Sequence, residues 1–198
     1  MGQIKSALEL ALERTQNIQG DKSSLEAKEL KEQGMKLFQQ ILEQPDLDPM
    51  KKIDQFPKEK RSLVLKGLFQ VTLNRIKLPN NELSLQDLPV LERAMASLVA
   101  KPKVANEIRN HLEELFSQYL GDRDQLVEAV IQQYTPVLRQ KEQQIAQQTG
   151  QRVQLTPEQD PEFQKFLKKN LDRLDQQYQQ GVDTLREQLT QMFEKAHK

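Results

Sequence analysis

The sequence contains no cysteine, which excludes disulfides, thiolate metal sites and cysteine nucleophiles together. A reducing cytosol is compatible with such a chain. There are two histidines, His111 and His197, so Ser-His-Asp and Cys-His arrangements have almost nothing to be built from. The seven glycines are scattered, with no two in G-x-G spacing and none in a GK[ST] motif, so no phosphate-cradling loop is expected. Net charge is absent too. With 29 basic against 29 acidic residues, no global field draws the chain to nucleic acid or anionic lipid. The local clusters KEKR at 58–61 and LKKNLDR near Lys168 are interleaved with Glu and Asp, which reads as solvated surface rather than a nucleic-acid interface. No apolar run approaches the roughly 18 residues of a membrane span. Lys5, Glu9, Glu13 and Arg14 also interrupt any apolar centre of a secretory signal.

Aromatic residues make up only 5% of the chain and tryptophan is missing, while Gln, Leu, Glu and Lys dominate. These are good helix formers, and strand-forming residues never cluster in alternation. The fold class expected is therefore all-α. A mean hydropathy of −0.75 is more polar than that of an average compact globule. An elongated bundle explains it, because long helices expose much of their circumference.

Along the chain the apolar spacing predicts about seven helices. Ile4, Ala7, Leu8, Ala11, Leu12 and Thr15 form one face of a first helix, which Gly20 is expected to end. Ser23 and Glu26, in capping-box spacing, open a second that stops before Pro45, with Ala27, Leu30, Gly34, Leu37, Phe38 and Ile41 inward. A connector with three prolines, holding one short helix, leads to Pro57. The third helix carries Leu63, Val64, Leu65, Leu68, Phe69, Val71, Leu73 and Ile76 around most of its circumference and is expected to be the central buried one. Ser84 and Asp87 cap a fourth running to about Lys101; Pro102 starts a fifth closing at Gly121. A sixth runs from Asp122 to about Thr149 with a kink expected at Pro136. Asp160 and Pro161 then form the N-cap and first position of a last helix reaching the C-terminus. Its stripe of Phe163, Leu167, Leu171, Leu174, Tyr178, Val182, Leu185, Leu189 and Met192 repeats every eleven residues, the period of a nearly unsupercoiled helix. The domain organisation expected is an N-terminal bundle, 1–121, packed on a long antiparallel helical hairpin, 122–198.

The opening, MGQIKSALELALERT, poses a choice among lipid anchor, targeting peptide, membrane-surface helix and docking helix. Gly2 and Ser6 match the short M-G-x-x-x-[ST] myristoylation pattern, which two fixed positions make unspecific. The polar face of Lys5, Glu9, Glu13 and Arg14 sums to zero and the apolar face lacks aromatics, unlike an interfacial helix. The same glutamates argue against a transit peptide. Docking is the remaining role. The strings IKSALELALERT and GDKSSLEAKELKEQG resemble the opening of a group of uncharacterised bacterial proteins over roughly the first forty residues. The resemblance implies a bacterial, cytoplasmic origin and no particular activity.

Metal binding is the chief competing chemistry. Glu107, His111 and Glu114 share one helix face at i, i+4 and i+7, and Glu194 and His197 form a Glu-x-x-His pair, as in di-iron bundles. The order of the trio is reversed relative to that motif, and Glu92 is the one further bundle ligand to suggest itself. A solvated helix face explains the trio more simply. The expected function is thus non-catalytic, with no cofactor and no small-molecule substrate: a helical adaptor or assembly protein binding another protein or itself. The residues expected to carry it are Ile4, Leu8, Ala11 and Leu12 on the first helix, and Leu185, Leu189, Met192 and Phe193 near the C-terminus. Apolar faces at termini are the least assured of cover within the chain. A metal-binding bundle protein and a peripheral membrane protein engaged through the first helix are the alternatives.

Overall fold

The computed structural model describes the backbone of residues 7–99 and 101–197, and side chains for 23–99 and 101–197. Within these limits the chain is all-α. Six helices are present: α1 (Ala7–Glu43), α2 (Pro49–Ile53), α3 (Lys58–Arg75), α4 (Leu88–Val99), α5 (Pro102–Thr149) and α6 (Pro161–Ala196). Two 3-10 turns, Glu82–Asp87 and Pro157–Gln159, precede α4 and α6, and no strand occurs among the described residues.

Two expected breaks are not there. The helix α1 runs straight through Gly20, and α5 through Gly121. A mid-helix glycine costs about 1 kcal/mol relative to alanine, which a long helix tolerates. A glycine that ends a helix commonly does so in the left-handed conformation, which its lack of a side chain permits but does not impose. Gly150 adopts it, at φ 71°, and it is the residue at which α5 ends. Ser23 and Glu26 therefore cap nothing. The Glu26 carboxylate instead pairs with Lys60 of α3. At Pro136 the helix continues, and the Thr135 hydroxyl donates to the Ile131 carbonyl oxygen at 2.8 Å.

The contacts divide into two compact units, one of Met1–Arg75, Pro89–Asn106 and Leu189–Lys198, the other of Ile76–Leu88 and Glu107–Gln188. In the first unit, α1 and α3 run in the same direction, pairing Glu26 with Lys60, Gly34 with Val64 and Leu68, and Phe38 with Arg75. Two glycines make that seam. A β-carbon at Gly34 would stand 1.9 Å from the Val64 carbonyl oxygen, and one at Gly67 would stand 2.0 Å from that of Lys31. Asp48 caps α2 by accepting from the Met50 N–H at 3.0 Å, with Pro49 first in the helix as its fixed φ favours. Arg61 fastens the α2–α3 turn, donating to the Phe56 carbonyl at 2.8 Å and to the Asp54 carboxylate at 2.6 Å.

The most completely buried helix is α4, not α3. Leu91, Ala94, Met95, Leu98 and Val99 are at most 3% exposed. Its charged pair Glu92-Arg93 disguised it in the sequence. Arg93 donates to the carbonyl oxygens of Ile41, Gln44 and Leu47 at 3.1, 2.8 and 3.0 Å, so it caps the C-terminal end of α1 instead of facing water.

In the second unit α5 and α6 form an antiparallel hairpin, with Leu115 against Gly181, Tyr119 against Tyr178 and Tyr134 against Phe163. Near its closed end Val130, Tyr134, Leu138 and Phe163 form a buried cluster. Asp160 caps α6 as expected, accepting from the Glu162 N–H at 2.9 Å ahead of Pro161. The eleven-residue stripe of α6 is buried or half-buried along its length.

Candidate functional site

The sequence singled out two apolar sets, and the structure treats them differently. Ile4 lies outside the described residues; Leu8, Ala11 and Leu12 belong to α1, with side chains outside the described set. In the C-terminal set, Leu185, Leu189 and Phe193 are 8%, 0% and 6% exposed and belong to the chain's own buried core. Phe193 stacks on Phe69 at 4.2 Å between ring centres and also contacts the His197 ring at 4.7 Å. The fourth member, Met192, is half-buried and lines a groove.

That groove has a volume of 370 Å³ and is lined by Val99 from α4, Lys101 and Val104 at the start of α5, and Met192, Lys195 and Ala196 at the end of α6. Val99 is its buried floor; the two lysines are exposed. It was missed in the sequence because it is assembled from three chain segments, none of which is apolar enough alone. The available signal was the junction itself: Pro102 starts a new helix three residues after Val99, placing Val99 and Val104 at the adjoining ends of two successive helices.

The proposed metal face is differently placed. Glu107, His111 and Glu114 are all exposed, on the side of α5 away from buried Ile108 and Leu112. His197 has its Nε2 2.7 Å from the Leu98 carbonyl oxygen, a bond to the main chain of α4. Among the described residues no group of three or more His, Asp and Glu side chains is arranged to hold a metal ion.

The strongest electrostatic features lie on the hairpin. Tyr119 donates to Asp175 at 2.8 Å, and Tyr178 donates back across the seam to Asp122 at 2.5 Å, with the rings edge-on at 5.3 Å. Burial, then the hydrogen bond to its carboxylate, pushes each phenol up to about 12. Because both folded-state values lie above the ordinary 10, the stabilisation is complete below pH 10 and is lost as pH rises through 12. An ultraviolet phenolate titration should therefore show a late-ionising fraction accompanied by loss of helicity. A Tyr119→Phe, Tyr178→Phe double variant should lack it; an unchanged late fraction in that variant would contradict the assignment.

Farther along, the Lys141 ammonium lies 2.6 Å from Asp160 and 2.5 Å from Glu162, beside the Tyr134 hydroxyl. Its hydrogen bonds to Asp160 and Glu162 hold Lys141 protonated well above the usual range, and its bond to Asp160 holds that carboxyl below its usual value. The cluster ties the turn between α5 and α6 to both helices. It is a stabilising arrangement, with every polar member partnered.

The chain belongs to the DUF6657 family, a family of unknown function, whose model matches residues 50–191. The matched span begins within α2, so α1 precedes it. No curated protein and no solved structure matches the chain.

Proposed function

We propose that this member of the family is a non-catalytic helical adaptor or assembly protein, binding another protein or a second copy of itself through apolar helix faces. The observation that carries this reading is the mismatch in length between α1 and its partner in the first unit. At about 1.5 Å per residue, α1 is about 55 Å long and α3 about 27 Å. Glu26 pairs with Lys60, only two residues into α3. The backbone of residues 7–25 of α1 thus runs past the start of α3. The sequence of this stretch has the amphipathic spacing of Leu8, Ala11 and Leu12, and such a helix draws its stability from burying its stripe. Leu25 adds to the argument. It stands nine residues before Gly34, about two and a half turns, and so opposite the α3 seam; it is 61% exposed.

The same reading places the protein in a bacterial cytoplasm, as the resemblance of its opening segment implies and the lack of cysteine allows. No helix among the described residues is long and apolar enough to cross a membrane.

The test compares the intact chain with a Leu8→Glu, Leu12→Glu double variant of matched helicity, by sedimentation equilibrium and by affinity capture from bacterial lysate. The intact chain is expected to self-associate or to retain a stoichiometric protein, and the variant to lose it. A monomeric, partner-free intact chain would overturn the reading, as would a variant that retains the same partner.

A further inference from the structure

We infer that the groove at the α4–α5 corner receives a short acidic and apolar segment of the partner protein, an assignment that rests on the adaptor reading above. Val99, Val104, Met192 and Ala196 offer an apolar surface, and the charged groups in the lining are two cations, Lys101 and Lys195. In a chain whose charges balance overall, a depression that among its described residues holds cations and no anion selects for a carboxylate. Two other depressions carry carboxylates: one sets Asp48 among Lys51 and Lys52, and the basic patch on α6 has Asp172 bonded to Lys168 at 2.9 Å.

The volume of 370 Å³ is at the low end of the range for ligand sites. It suits a few side chains rather than a large cofactor. An acyl chain needs an apolar enclosure, whereas this lining is interrupted by exposed lysines; a peptide can set apolar side chains on the valines and Met192 and place Asp or Glu at the rim.

Random peptides displayed on phage, selected against the immobilised full chain, provide the probe; selected sequences are then synthesised and titrated by fluorescence anisotropy, with oleate as a separate competitor. The expected peptides combine aliphatic residues with Asp or Glu. Their affinity should fall at least about tenfold for a Lys101→Glu, Lys195→Glu variant and also for Met192→Glu, and return when the peptide's acids are exchanged for lysines against the charge-reversed chain. Both lysines are exposed, and thermal melts are to check that the variants fold. The proposal is overturned if no peptide is selected, if the peptides bind the charge-reversed chain equally well, or if oleate occupies the groove and peptides do not. Peptides lost with Leu8→Glu, Leu12→Glu but unaffected by the groove variants would end this proposal while leaving the adaptor reading intact. An intact chain that binds neither peptide nor protein would end both.

Discussion

Replacing Gly34 by alanine should destabilise the protein by on the order of 3 kcal/mol, although alanine is the better helix former. Two effects oppose each other. Helix propensity favours alanine by about 1 kcal/mol. Against it, the added methyl would sit 1.9 Å from the Val64 carbonyl oxygen and 2.8 Å from the Leu68 nitrogen, both main-chain atoms that no rotamer change can move aside. The helices must separate, and the buried contacts of Leu37, Phe38, Val64 and Leu68 loosen with them. Gly67→Ala should behave alike, since its methyl would meet the Lys31 carbonyl oxygen at 2.0 Å. Gly121→Ala is the internal control. Nothing lies within 4 Å of a β-carbon there, so propensity acts alone and the variant should gain about 1 kcal/mol. Urea melts of the three variants decide the matter. Equal behaviour at positions 34 and 121 would mean that the seam is not as close as described.

The second large effect is expected at Arg93. Its guanidinium serves the carbonyl of Ile41, one of the last-turn groups that a helix terminus leaves without internal partners, and those of Gln44 and Leu47 just beyond α1. Hydrogen bonds to a charged donor contribute about 1.5–3 kcal/mol each when sheltered, and part of that is recovered where water reaches the freed oxygen. Arg93→Leu should therefore cost about 3 kcal/mol, with the Ile41 carbonyl, held at 3.1 Å in a part-buried contact, the hardest to resatisfy. Arg93→Lys keeps the favourable charge at the helix end but loses the fork geometry, and should recover only about half. Thermal unfolding of both variants tests this. If leucine is as stable as arginine, the capping role is wrong.

How much of this was legible in the sequence depends on what each signal encodes. The stripe of α6 and the Asp160-Pro161 start could be read because period and cap chemistry are local. Gly34 could be placed on the inward face, between Leu30 and Leu37, but the closeness of the α1–α3 seam depends on Gly67, twice as far along the chain. Gly20 and Gly121 mislead for the opposite reason: glycine permits positive φ, but among the described residues only Gly150 uses it. The burial of α4 was hidden because Arg93 looks solvated until its carbonyl partners, about fifty residues earlier, are seen. Leu185, Leu189 and Phe193 show the same limit from the functional side. Periodicity marks a face as buried and is silent on whether the cover is Phe69 of the same chain or a partner. The groove at Val99 and Val104, drawn from three segments, had the weakest trace of all.

The most direct test of the central claim is amide hydrogen exchange on the intact chain, alone and saturated with the protein or second copy it retains. Binding is predicted to add protection in residues 7–25 of α1, at the groove between Val99 and Val104, or at both, and to leave the Tyr119–Tyr178 seam of the hairpin unchanged. Added protection confined to the exposed Glu107, His111 and Glu114 face of α5, or no added protection anywhere, would contradict an adaptor that works through its apolar helix faces.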